Sequence, residues 1–313
     1  MKQYHEINFV RTILILLVIL VHIVHFGALY PAVKEGILGF MMPSFLVVTG
    51  YLVNVEKSAK EFLVYLFRIF VPYLIMVLGF SVLSFYLPVR DGITEISAAV
   101  LLEKVFLTSI GPYWFLYVMI GCGICYYLSF RILPIGKNTF VRLLVFAALL
   151  YLVSLVLPLM AVKIVMYYFF GTALRQFKFA YNKFDNSGWI EGIFFLLFLF
   201  FTDNRDWGSI VIVLTVSSFL VFSNWLYRFL PSRFTRFTDW MGMNTLPIYL
   251  FHPVFTMFGK YYHPLFLWDK TELLYTFVTL VLSVAGSLAL AYFLDRTHLT
   301  TLFARKKFFR KLD

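Results

Sequence analysis

The stretch NFVRTILILLVILVHIVHFG, residues 8–27, decides how the chain is read. It is nearly long and apolar enough to cross a bilayer, which takes about 20 residues. Yet it carries Arg11, His22 and His25. Ionisable side chains are costly in hydrocarbon and persist where they have a partner or a task. The rest of the chain agrees with a membrane setting: 61% of its 313 residues are hydrophobic and only 14% are charged, whereas about a quarter of a soluble domain is charged. Long apolar runs recur throughout, so the sequence predicts an all-α polytopic membrane helix bundle.

Ten transmembrane helices are expected, at 9–29, 36–55, 62–87, 113–130, 143–160, 162–177, 189–202, 208–226, 240–260 and 272–294. Residues 92–108 read as an amphipathic segment lying in the interface, with Glu95, Glu103 and Lys104 on its polar side. Charge orients the spans. With the N-terminus inside, 20 of the 27 Lys and Arg fall on the cytoplasmic side and 7 outside, the expected positive-inside bias. Both termini are therefore expected in the cytoplasm. The first run is too long, and too polar inside, for a signal peptide. One integral-membrane domain is expected over 1–313, with 295–313 a basic cytoplasmic tail and no fused soluble domain.

The net charge of +11 is explained by cytoplasmic loops facing anionic lipid. No basic soluble domain exists to hold nucleic acid, so none is expected as a partner. Cys122 and Cys125 lie in the apolar run YWFLYVMIGCGICYYLSF. One such pair cannot close a zinc site, and no nearby His completes it. Small residues packing a helix face is the better reading, and no metal is expected.

Arg11 and His22 are eleven residues apart, about three helical turns, and so share a face. Arg11 would sit near the cytoplasmic entry and His22 about 16 Å higher. Snorkelling is the competing reading of Arg11, and a structural hydrogen bond that of His22. His25, one turn on, is expected on nearly the same face, or is simply interfacial. A second helix, DWMGMNTLPIYLFHPVF (239–255), places His252 at a depth similar to His22, with Asn244 and Tyr249 below it. Pro247 and Pro253 loosen its backbone, which is tolerated beside protein or a wet cavity. Carboxylates fall almost entirely in loops, tails and span ends. The deep ionisable groups are imidazoles, the side chains best suited to take and give a proton near neutral pH.

These segments resemble membrane acyltransferase family 3, the multi-pass O-acyltransferases of bacterial surface glycans. The resemblance rests on Arg11 followed by His22, MPSFLVVTGYLV (42–53), FRIFVPY (67–73), GPYWFLYVM (111–119), YFFGTALRQF (168–177) and GMNTLPIYLFHPV (242–254), in that order. Two departures stand out. Many relatives carry a second Arg one turn before Arg68, where this chain has Tyr65, and some carry a fused esterase-like domain where this chain has a short basic tail. The resemblance implies a bacterial plasma-membrane enzyme moving an acyl group, most often acetyl, from acyl-CoA to a carbohydrate hydroxyl. It implies His22 and Arg11 as catalytic residues, with His22 as base. Arg68, Arg233, Arg236 and Tyr51 would bind acyl-CoA. Asn244, Tyr249 and His252 would support the site, and Trp114 would offer a stacking face to the acceptor sugar, or serve as an interfacial anchor. The alternative function is an exporter or flippase of a glycan or lipid-linked sugar. Whether the chain forms a homo-oligomer is left open.

Overall fold

The computed structural model describes residues 5–87, 91–179, 188–200 and 206–311. Lys2, Arg90, Lys183, Arg205, residues 312–313 of the tail and the end of the 189–202 span lie outside the described residues. The structure is 81% helical, with no strand among the described residues. In chain order the helices are α1 (His5–His22), α2 (Val24–Leu29), α3 (Pro31–Leu52), α4 (Ala59–Tyr86), α5 (Ala98–Glu103), α6 (Trp114–Tyr127), α7 (Thr139–Ser154), α8 (Val162–Gln176), α9 (Gly188–Phe200), α10 (Ile210–Tyr227), α11 (Ser232–Met243), α12 (Thr245–Tyr262) and α13 (Leu273–Arg296). Six helical stretches among the described residues are long and apolar enough to span a bilayer: α1, α3, α4, Gly111–Ile132 around α6, α10 and α13. Helices α7 and α9 are shorter and apolar.

Several helix starts follow from local chemistry. Ser58 and Glu61 form a reciprocal capping box that opens α4, so the helix begins three residues before the apolar run suggests. Asn138 Oδ1 accepts from the amides of Phe140 (2.9 Å) and Val141 (3.4 Å), which starts α7 ahead of the expected residue 143. The interfacial segment is shorter than expected: α5, followed by a π-helical turn at Lys104–Thr108.

Two expected spans are each broken in two. The first stops at His22, where Ile23 turns extended (φ −78°, ψ 108°). Just before the break, His22 Nδ1 back-bonds to the Val18 carbonyl at 2.6 Å. The ninth breaks at Asn244 (φ −98°, ψ 13°). Pro247 therefore does not kink a continuous helix. It falls in the first turn of α12, where a missing N–H costs nothing.

The fold divides into two units. One draws its described residues from 1–45, 180–300 and 306–313, the other from 46–179 and 301–305. In the first, α1 packs against α10, α11, α12 and α13. Val10, Leu14, Ile15 and Ile19 are all fully buried, so α1 faces protein on most sides and its polar groups are spared lipid. Its base is fixed to α11. Thr12 Oγ1 donates to the Thr238 carbonyl at 2.7 Å, His5 pairs with Asp239 at 2.7 Å, and Gly242 lies so close to the Asn8 backbone that a Cβ would collide with it.

The second unit uses the same device at a helix crossing. A Cβ on Gly50 would strike the Tyr168 carbonyl, and one on Gly171 the Val47 carbonyl. Glycine at both positions lets α3 and α8 meet backbone to backbone. Cys122 and Cys125 are buried and free, packed as the small residues they resemble.

Candidate active site

His22 ends α1, and its geometry follows from the break beside it. A carbonyl can only accept, so the 2.6 Å contact with the Val18 oxygen places the imidazole proton on Nδ1. The Nε2 lone pair is left for chemistry. His252, from α12, sits with its ring centroid 5.3 Å away and its plane at 72°. Its Nδ1 likewise faces carbonyls, those of Tyr249 (2.9 Å) and Ile248 (3.1 Å). His252 is fully buried, and its Nε2 has no hydrogen-bond partner among the described residues. The two histidines expected at similar depth thus meet edge to face, each with Nδ1 committed to its own helix. His22 is half-buried and so is the more exposed member of the pair. Tyr249 lies beside His252, with rings 6.1 Å apart.

His25 does not share this face. The turn at Ile23 sends it to another partner, His263, on which it stacks at 3.6 Å and 10°. The expectation of one polar stripe holding both histidines fails because a helical count assumes an unbroken helix.

Asn244 also departs from its expected place. Its Nδ2 donates to the carbonyls of Trp240 (2.9 Å) and Arg310 (3.0 Å), and its Oδ1 accepts from the Arg310 amide at 2.8 Å. It holds the end of the chain rather than the histidines. Trp240 Nε1 adds a bond to the Arg310 carbonyl at 2.8 Å. Asp295 accepts from the amides of Phe308 and Phe309, both at 2.8 Å, and Phe308 is buried against Phe251. The tail is therefore not a loose basic extension. Residues 308–310 are folded onto the first unit, and they bring Arg310 within electrostatic range of Arg11. Among the described residues no carboxylate pairs with either guanidinium. Two cations within electrostatic range of each other suit a polyanion.

In the second unit, Arg68 is exposed, and its carbonyl accepts from Arg305 Nη1 at 2.8 Å. Arg305 lies near Tyr65, and Lys57 Nζ sits 4.8 Å over the Tyr65 ring. A guanidinium from the tail thus stands near the place where the sequence lacks a second Arg. Tyr51 is buried. Its hydroxyl donates to the Phe179 carbonyl at 3.2 Å, and its own carbonyl accepts from Arg175 at 2.8 Å; it ties α3 to the end of α8. Trp114 is half-buried at the start of α6. In the first unit, Arg233 and Arg236 are exposed on α11, on the opposite face from buried Thr238, Met241 and Gly242. Phe234 and Phe237, one turn before Thr238 and Met241, are exposed as well.

In the first unit, then, the buried helix α1 ends in an imidazole that meets a second imidazole edge to face. Residues 4–292 match the family model described as an acyltransferase domain, and the chain belongs to acyltransferase family 3. No curated protein and no solved structure matches the chain.

Proposed function

We propose that the protein moves an acyl group, acetyl first among the candidates, from cytoplasmic acyl-CoA to a hydroxyl of a cell-surface or lipid-linked carbohydrate, in a bacterial plasma membrane. The proposal includes about ten membrane crossings and cytoplasmic termini, supported by the distribution of Lys and Arg. The observation that carries the reading is the 2.6 Å contact between His22 Nδ1 and the Val18 carbonyl, which leaves Nε2 as a base.

His22 Nε2 takes the proton of the acceptor hydroxyl as its oxygen attacks the thioester carbon. The new C–O bond forms, the C–S bond breaks, and the imidazolium returns the proton to the departing CoA thiolate. His252 and Tyr249 position His22. Arg11 with Arg310, Arg68 with Arg305, and exposed Arg233 and Arg236 are the candidates for the CoA phosphates. Tyr51 would reach the donor only by releasing the Phe179 carbonyl. Trp114 is a stacking face for the acceptor sugar.

The test uses purified protein, radiolabelled acetyl-CoA and a lipid-linked glycan acceptor. His22→Ala should lower transfer by about 10²–10⁴ while the protein inserts and melts as the parent does. Arg68→Ala and Arg305→Ala should weaken acyl-CoA binding more than Arg68→Lys does, because a phosphate needs charge first and the guanidinium fork second. An active His22→Ala protein refutes the mechanism.

A further inference from the structure

His25, His263 and Glu272 converge in the first unit although the proposed transfer chemistry uses none of them. We propose that they form a site for a divalent transition-metal ion of zinc-like preference, with the fourth position left to water. Their ligand atoms all lie within 4.8 Å of one another. They come from three separate elements: α2, the 3₁₀ turn His263–Phe266 after α12, and the residue that precedes α13.

The donor set argues for the ion. Two imidazole nitrogens and one carboxylate oxygen suit zinc and its neighbours, whereas magnesium and calcium prefer oxygen alone. Metal–ligand bonds of about 2.0–2.2 Å put the donor atoms of a tetrahedral site on the order of 3.4 Å apart. His263 Nε2 and Glu272 are already closer than that, at 2.9 and 3.1 Å to the two carboxylate oxygens. Coordination also requires the two stacked imidazoles to turn out of parallel so that both lone pairs meet one ion, and all three side chains are half-buried rather than fully enclosed.

The surroundings keep these groups near one another. The His25 and His263 rings stack at 3.6 Å, and the edge or face of Tyr275 meets both, at 5.4 and 4.8 Å. Tyr275 is buried with Ile23 and Phe26 in a small apolar cluster. Glu272 adopts φ 55°, ψ 7°, a left-handed backbone that a non-glycine residue keeps only where its surroundings hold it. The carboxylate three residues before Glu272, Asp269, is occupied by the amides of Thr271 and Leu274 and the Thr271 hydroxyl.

The position gives the ion a use. His25 lies just past the break that sets His22, and His263 directly follows the helix that carries His252. An ion here clamps α2, the end of α12 and the start of α13 together beside the imidazole pair without touching it. The expectation of no metal rested on the two cysteines, and it could not register ligands so far apart in sequence.

The test uses untagged protein in detergent, stripped with a chelator and titrated with Zn²⁺ while thermal unfolding and metal content are followed. One Zn²⁺ per chain should bind and raise the melting temperature, and chelator should reverse the shift. His25→Ala, His263→Ala and Glu272→Gln should each weaken binding by about 100-fold or more, beyond what the loss of a supporting group alone costs. His22→Ala should bind as the parent does. Unfolding of the metal-free variants checks that they fold, and Co²⁺ in the parent should show the intense visible bands of a tetrahedral site. Absence of saturable Zn²⁺ binding by the parent overturns the proposal, and so does parent-like binding by His263→Ala and Glu272→Gln.

Discussion

Asp295→Ala should release the end of the chain while leaving the helices in place. The carboxylate accepts from the amides of Phe308 and Phe309, both at 2.8 Å, and from the Thr300 hydroxyl at 2.6 Å. A hydrogen bond to a charged acceptor is worth about 1.5–3 kcal/mol. Asp295 is half-buried, so solvent holds each bond to the low end of that range. The two amides together account for about 3 kcal/mol, on the order of a 100-fold increase in the population with the tail detached. Lys306, Lys307 and Arg310 make the segment a substrate for trypsin, and cleavage of a transiently open segment follows its open population. The initial cleavage rate should rise about 100-fold in Asp295→Ala and less in Asp295→Asn, which keeps one acceptor oxygen. Global melting in detergent should shift little. Acyl-CoA affinity should fall in the same order as tail retention if Arg310 helps to hold phosphate. Parent-like proteolysis of Asp295→Ala would show that the carboxylate does not fasten the tail, and would remove the reason to place Arg310 beside Arg11.

Gly171→Ala should lower the melting temperature, with a loss toward the upper end of the 1–3 kcal/mol typical of overpacking, because the Val47 carbonyl cannot move aside as a side chain tip can. Gly36→Ala is the control: nothing lies within 4 Å of a Cβ there, and equal melting of the two variants would sink the argument from close helix approach. Hydrogen bonds from the Thr271 hydroxyl and the Leu274 amide hold the Asp269 carboxyl below its usual range. A depressed pKa adds stability above the ordinary carboxylate range and loses it as pH falls through the folded value. The melting deficit of Asp269→Asn should therefore shrink as pH drops below about 4, and a deficit independent of pH would contradict this assignment.

The helical membrane character was legible in composition and apolar runs alone, and the meeting of His22 with His252 followed from two helices counted from the same side. What counting missed was breakage. No Gly or Pro flags Ile23, and the back-bond of His22 to its own turn does not by itself end a helix, since His252 makes the same contact inside α12; the new direction is fixed by tertiary contacts that no local pattern announces. At Asn244 the sequence offered a signal, since Pro247 suits a first helical turn as well as a kink, and the polar Asn three residues earlier favoured the former. The box SAKE at 58–61 also marked the start of α4 and was outweighed by hydrophobicity. Charge alone marks 295–313 as a basic cytoplasmic tail. Its two adjacent phenylalanines, Phe308 and Phe309, were the sign of a segment with something to bury. Arg305 and Arg310 were overlooked with it, as residues that act through long-range placement and leave no local pattern.

The clasp between Asn244 and Arg310 bears on how the protein is made. Its partners are 66 residues apart, and α12 and α13 lie between them. During synthesis Asn244 therefore waits at the helix break while both later helices are made, and only emergence of residue 310 from the ribosome lets the clasp close. The nascent chain passes through an interval in which its helices are made but Arg310 is not yet within range of Arg11. The electrostatic partner of Arg11 at position 310 thus arrives only after both helices that follow Asn244 have been made.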